Sequence, residues 1–370
     1  MNAIDHIETD RILTMFLELV QIDSPSGQEA EIGKHLMSTL QDLGCNVRRD
    51  GHGNLIACYP GQGDEIVLLS CHMDTVGTDT GIKPVIRDGV VYSDGTTILG
   101  ADDKAGIAVL LETLKVFREQ PDLQHPPLEI VISVSEEKGL VGAKKLDKSQ
   151  LQADWGIVLD SGGPIGTLVY TGPSQNHIDA VVHGKKAHAG SAPEKGINAI
   201  VVASEAIATM PVGRIDEETT SNVGIIQGGE ATNIVPDIVT VNCEARSRND
   251  EKLAAQTETM VKAFEDAAAK YGATVDVEVR LAYQGYLLTP DQRPYAVAAR
   301  AIESLGFELI PKKGGGGTDG HIYTAAGIPC VVLSAGMADV HTSSEHVAIQ
   351  DMVDSAKVLI QALTQSVSAT

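Results

Sequence analysis

EIVLLSCHMDTV, residues 65–76, changes character halfway along. Its first half is an unbroken apolar run, the pattern of a strand buried on both faces. Its second half places His72 and Asp74 directly after that strand. Similar runs recur in LEIVISVS (128–135), WGIVLD (155–160) and PCVVLS (329–334). Helical periodicity marks RILTMFLELV (11–20), EAEIGKHLMSTLQDLG (29–44) with Gly44 as its C-cap, and KAGIAVLLETLKVF (104–117). Strands without alternation, separated by helices, predict an α/β domain with a parallel sheet covered on both faces.

The middle of the chain reads differently. NHIDAVVHGK (176–185) alternates, INAIVVASEAIATM (197–210) is helical, and SNVGIIQGG (221–229) and IVPDIVTVNCEARS (234–247) read as neighbouring strands. EKLAAQTETMVKAFEDAAAKYG (251–272) is an amphipathic helix, and ATVDVEVRLAY (273–283) alternates strictly. The order β-α-β-β-α-β is the ferredoxin-like arrangement. A small domain inserted at 174–287 is therefore expected, interrupting a larger α/β domain formed by 1–173 and 288–370.

The 370 residues carry 28 Lys and Arg against 50 Asp and Glu, a net charge of −22. This balance argues against nucleic acid or an anionic membrane as partner, since both require a basic footprint. No run reaches the roughly 18 apolar residues of a membrane span, and the acidic start MNAIDHIETD lacks the apolar core of a secretory signal. Five scattered cysteines without a CxxC pair disfavour a disulfide framework or a thiolate zinc site and fit a reducing cytoplasm.

The chemistry gathers at strand ends. CHMD follows EIVLLS, Glu136 and Glu137 follow LEIVISVS, Asp160 ends WGIVLD, and His341 lies shortly after PCVVLS. In open α/β sheets functional sites collect outside the carboxyl ends of the strands. Asp102 and Asp103, in ILGADDKAG (98–106), stand at a helix start that could face the same edge. Singly, each has an ordinary reading: an N-cap for Asp102 or Asp103, solvated acids at 136–137, a core imidazole at His72, a surface loop at His341. Jointly, crowded carboxylates repel unless cations neutralise them, and His with carboxylate is the ligand set of catalytic zinc. The candidate ligands are too many for one tetrahedral ion, so two divalent metal ions are expected.

SCHMDTV (70–76), GADDKAG (100–106), SEEKGLVGA (135–143), VLDSGG (158–163), HAGSAPEKGINAI (188–200), GGTDG (316–320) and HTSSEH (341–346) together resemble the co-catalytic zinc peptidases. That family includes peptidase T, carboxypeptidase G and aminoacylase, and GADDKAG and GGTDG are most similar to peptidase T. The resemblance implies that His72 and Asp160 hold one zinc, Glu137 and His341 the other, and that Asp102 bridges them across a cis link to Asp103. Cobalt or manganese would suit the same ligands. It implies Asp74 as the acceptor that orients the His72 ring, and Glu136 as the general base that moves a proton from water to the leaving amine. It implies that His188 reaches a partner subunit's site, making the protein a homodimer through the inserted lid domain. It also implies that Arg246 and Asn233 face substrate, with the loop at Gly316 and Gly317.

The expected activity is removal of the N-terminal residue from short peptides, as in a tripeptidase. An N-acyl amino acid deacylase using the same centre is the alternative, and a catalytically silent peptide- or metal-binding protein is a further one. Two departures bear on this. Gly315 stands where peptidase T has Arg, which loosens strict tripeptide selection. His346 follows Glu345 where the family has an aromatic or aliphatic residue, but His341 keeps the family spacing of four to the glutamate.

Overall fold

The computed structural model describes residues 3–367. They form two compact units: one runs to Thr171 and resumes at Leu287, and the other is Gly172–Tyr286.

The first unit is built on four parallel strands in the spatial order Leu128–Ser133, Val67–His72, Trp155–Gly162 and Cys330–Ala338. Every residue of the first two is buried, which is why their sequences do not alternate. The strands run the same way, so their carboxyl ends share one edge. Antiparallel strands extend the sheet on both sides. Leu55–Tyr59 and then Asn46–Arg49 flank Leu128–Ser133. His346–Ala348, Val90–Ser93 and Pro84–Arg87 follow Cys330–Ala338. The parallel set is thus only the middle of the sheet. The flank at 84–93 is a hairpin whose turn, Asp88-Gly89, takes positive φ at both residues (+50° and +78°), as the tight turn matched to strand twist requires.

The helix Ala101–Glu119 packs against the helices Thr9–Val20 and Ile349–Val367 and against three of the parallel strands. It is buried almost all round, including Ile107, Leu110, Leu111 and Leu114. Such a helix belongs to the core and not to a surface. A deep acid on it, Glu112, is matched by Arg11, whose Nε and NH2 donate to the two carboxylate oxygens at 2.7 Å each. The helix at 29–44 spans Ala30–Asp42, with Gly44 just beyond it at φ +96°.

The second unit has the strand order Thr219–Gly228, Ile238–Ser247, Ser174–His183, Thr274–Tyr283, all antiparallel. In chain order these are the second, third, first and fourth of a β-α-β-β-α-β unit, the ferredoxin-like topology. The helices Ala199–Thr209 and Asp250–Tyr271 bury Val202, Ala206, Met260 and Phe264 with Ile178, Val239 and Val241 of the sheet. No helix among the described residues is long and apolar enough to cross a membrane.

Candidate metal centre

The carboxyl-end edge of the parallel sheet carries the cluster. His72 is the last residue of its strand, and the six-residue register with Leu128–Ser133 sets Ser133 beside it. Two residues on, Asp74 returns to the same face. The His72 ring Nδ1 lies 3.0 Å from the carbonyl oxygen of Asp74 and 3.5 Å from its carboxylate Oδ1. The closer partner is the carbonyl, so a proton on Nδ1 leaves the Nε2 lone pair facing the cluster. The carboxylate is engaged elsewhere. Its Oδ1 accepts the N–H of Glu136 at 2.9 Å, and its Oδ2 accepts the N–H of Glu137 at 3.2 Å and the hydroxyl of Ser26 at 2.6 Å. The acceptor role expected of Asp74 toward the ring thus falls mainly to its backbone. Its side chain fixes the acidic pair that follows the next strand.

Asp102 stands between the imidazoles. His72 Nε2 is 3.3 Å from its Oδ1, and His341 Nε2 is 3.2 Å from its Oδ2. His72 Nε2 is also 4.0 Å from Asp160 Oδ1, and His341 Nε2 is 2.9 Å from Glu137 Oε1. That Glu137 oxygen is buried and accepts no hydrogen bond, so the close approach is not aligned as one. One atom each from His72, Asp102 and Glu137 falls within 4.8 Å of the others. The five residues singled out as ligands therefore meet.

The backbone around Asp102 is irregular. The peptide bond between Asp102 and Asp103 is cis. Asp102 (φ −84°, ψ 105°) and Asp103 (φ −115°, ψ 30°) are non-helical, so the regular helix starts at Lys104. Neither aspartate caps it in the ordinary way. Asp103 is buried and accepts the N–H of His72 at 3.2 Å. The side chain of Lys104 is fully buried and donates to the carbonyl of Ile22 at 3.0 Å.

The electrostatics describe a site short of positive charge. Burial pushes Asp160 well above the carboxylate range, and neighbouring Glu136 and Asp102 push it further. Burial likewise raises Glu136, with Asp319, Glu137 and Asp102 adding to the effect. Burial opposes charge on His72, yet Asp102 and Asp74 outweigh it and hold the imidazole well above its ordinary value. Asp102 and Glu137 raise His341 to about 10. Protons on the imidazoles thus supply cationic charge that the carboxylates call for. Metal cations would meet the same need with the same donors, and the imidazole–carboxylate set with an unsatisfied buried oxygen fits divalent ions.

The other predicted residues lie apart from this cluster in the chain. His188, Asn233 and Arg246 all belong to the second unit. His188 is exposed, and its Nδ1 accepts the N–H groups of Gly190 and Ser191, each at 3.1 Å. It pairs across two short strands with Ile234, and Ala189 N–H donates to the Asn233 carbonyl at 3.0 Å, so His188 and Asn233 are neighbours. Arg246 is gripped by Glu244 of its own strand, Nε to Oε1 at 2.9 Å and NH2 to Oε2 at 3.0 Å. Gly316 is exposed and Gly317 half-buried, between the strand Ile310–Lys313 and the helix Asp319–Ala325 of the first unit.

Several supporting residues escaped the sequence reading. Glu29 accepts the N–H and hydroxyl of Ser135, and Ser26 bonds Asp74. Nothing in DSPSGQE (23–29) marks them, because their partners are 48 and 106 residues away. Asp319, buried within GGTDG, takes the Ser133 hydroxyl, and burial raises it to about 6.

The chain matches the model of "Peptidase family M20/M25/M40" over residues 68–365. It is 44% identical to the uncharacterized protein YqjE of Bacillus subtilis, covering 97% of this chain and 99% of that one. Among solved structures it is similar to aminopeptidase PepT from Bacillus cereus, at 43% identity and TM-score 0.87, with 98% of this chain and 100% of that one covered. It is also similar to a tripeptidase from Staphylococcus aureus, at 39% identity and TM-score 0.91, covering 97% and 99%. The match extends from the His72 strand into the last helix and takes in every segment of the cluster, and the chain belongs to peptidase family M20/M25/M40.

Proposed function

We propose that this chain is a di-metal aminopeptidase of the peptidase T type, releasing the N-terminal residue of short peptides, tripeptides among them. The observation that carries this is the placement of Asp102 between His72 and His341, with Glu136 in the same cluster. His72 and Asp160 would hold one ion, Glu137 and His341 the other, with Asp102 shared, and zinc is the first choice of metal. When bound, such ions supply the positive charge that makes hydroxide available near neutral pH.

The rest of the work falls to side chains. Glu136 is buried among carboxylates, which favours a proton on it; it takes the proton of the attacking water and returns it to the leaving amine. Asp74 holds Glu136 and Glu137 by their backbone N–H groups, so base and ligand keep one spacing. The His188 ring accepts two backbone N–H groups at Nδ1 and so carries its proton on Nε2, ready to donate to an oxyanion. Arg246 offers a planar fork to a substrate carboxylate once Glu244 yields it, and Asn233 lies beside His188.

A homodimer through the inserted unit completes the reading. Its strand Thr219–Gly228 pairs on its outer side only near residues 220–221 among the described residues, and Ile225 and Ile226 on it are exposed. A cytoplasmic setting agrees with free cysteines at all five positions. The acidic net charge of −22 speaks against nucleic acid and membrane partners.

The relatives described as an aminopeptidase and a tripeptidase favour peptides over N-acyl amino acids. The test is a panel of tripeptides, dipeptides and N-acetyl amino acids offered to protein loaded with zinc, cobalt or manganese. Tripeptides with a free N-terminus should be turned over fastest. Faster hydrolysis of N-acetyl amino acids would make the chain a deacylase, and no hydrolysis with any metal would make it a binding protein.

A further inference from the structure

Glu345 is 1% exposed. Its Oε2 accepts the N–H groups of Leu99 at 2.8 Å and Gly100 at 2.7 Å, and its Oε1 accepts that of Asp102 at 3.0 Å. These N–H groups precede the regular helix, which starts at Lys104, and so have no intrahelical partners. Gly100, at φ +71° where the helix segment begins, has no side chain to cap them. The cap comes instead as a carboxylate from a loop 243 residues away in sequence.

The same residue is built into the loop that carries His341. Its own N–H donates to the Thr342 carbonyl at 3.1 Å, and Ser93 donates from its hydroxyl to the carbonyl of Ser343 at 3.3 Å. One side chain therefore joins the segment bearing Asp102 to the segment bearing His341. Those are the two residues whose side chains approach to 3.2 Å.

We infer that Glu345 is a positioning residue of the metal centre: by holding the N–H groups of 99, 100 and 102 it sets where the Asp102 carboxylate stands between the two imidazoles. The inference rests on reading this cluster as a metal centre. An amide cannot substitute. Glutamine keeps one acceptor oxygen and turns an NH2 group toward N–H donors.

Glu129 provides a matched control. It is also buried, at 4%, and accepts two backbone N–H groups, from Gln152 at 2.8 Å and Ala153 at 3.1 Å. It lies near the opposite end of its strand from the cluster. The experiment strips full-length protein with a chelator and titrates it with cobalt(II), reading the visible absorption and competing with a chelator for affinity. Glu345→Gln should weaken cobalt binding by about 10–100-fold and change the absorption envelope, the usual scale for groups that orient ligands. Glu345→Asp, which keeps the charge on a shorter arm, should fall between Gln and wild type. Glu129→Gln should lower the melting temperature and leave cobalt affinity within about twofold.

Wild-type cobalt affinity in Glu345→Gln, or an equal loss in Glu129→Gln, overturns the inference. If Glu345→Gln does not fold, unchanged affinity in Glu345→Asp overturns it equally. A wild-type protein that binds no cobalt overturns the metal reading itself, and that result is visible before any variant is measured.

Discussion

Asp74 Oδ1 accepts the backbone N–H of Glu136 at 2.9 Å, so a residue from one strand end fixes the acid that follows another. Its second oxygen takes the N–H of Glu137 and the hydroxyl of Ser26. In Asp74→Asn one oxygen becomes an NH2 group facing donors. A buried donor left without its acceptor costs about 1–3 kcal/mol. The variant should melt lower and lose roughly 10–100-fold in kcat, by analogy with other groups that orient a site. Steady-state kinetics beside a melting curve check this. A variant with normal kcat would confine Asp74 to stability.

Glu136 and Glu137 are adjacent but differently assigned. Glu137 approaches His341, while at Glu136 burial and acidic neighbours favour a proton. Glu136→Gln should therefore retain both ions and lose roughly 10²–10⁴-fold in kcat, the scale of a general acid–base group. Metal analysis of the purified variant, set against its turnover, decides the matter. Loss of metal in step with activity would exchange the two roles.

What the sequence makes legible follows from where each interaction is encoded. The parallel strands are legible because burial on both faces leaves no polar–apolar alternation in runs such as VLLSCH (67–72). The antiparallel flanks are not, because their strands are only three to five residues long and some, such as Pro84–Arg87, have no buried residue. His72, Asp102, Glu137, Asp160 and His341 stand out because each lies at or shortly after the carboxyl end of a strand, or just before a helix. The carboxylates that hold them, Asp74 toward Glu136 and Glu345 toward Asp102, act through backbone N–H groups. Any residue supplies such a group, so sequence carries no mark of the pairing.

His341 gives the metal-free protein a pH signature. Asp102 and Glu137 beside it raise its pKa from the ordinary 6.5 to about 10 in the folded state. The folded state thus holds the proton more tightly than the unfolded chain. Its contribution to stability is complete below pH 6.5 and is lost as pH rises from there through 10. Melting temperatures of chelator-treated wild type should fall across that window more steeply than those of His341→Asn. Zinc must displace the same proton, so apparent zinc affinity should rise with pH. Parallel profiles for the two proteins would remove His341 from the account.

Gly106 lies two residues inside the regular helix, where alanine is normally the better helix former by about 1 kcal/mol. A Cβ there would meet the backbone carbonyl oxygen of Leu159 at 2.5 Å and also the Asp103 carboxylate. Leu159 immediately precedes Asp160, so the crowding falls on two elements of the site. Gly106→Ala should therefore destabilise the fold by about 1–3 kcal/mol, the usual scale of overpacking, against its helix propensity. Denaturant titration reads this directly. A variant as stable as wild type would mean the helix can shift away from the strand at little cost.

His188 belongs to the inserted unit, exposed, with its Nδ1 turned back onto the N–H groups of Gly190 and Ser191. If it serves the site of a second subunit, His188→Ala should keep wild-type metal content and lose kcat by the roughly 10²–10³-fold seen when an oxyanion donor is removed. Cross-subunit action has a sharper consequence. A dimer of one His188→Ala chain and one Glu136→Gln chain contains one site in which both groups are intact, supplied by different chains. Mixing two inactive variants under conditions that exchange subunits should restore part of the activity. A protein that is dimeric, exchanges subunits and regains none would place His188 in the service of its own chain.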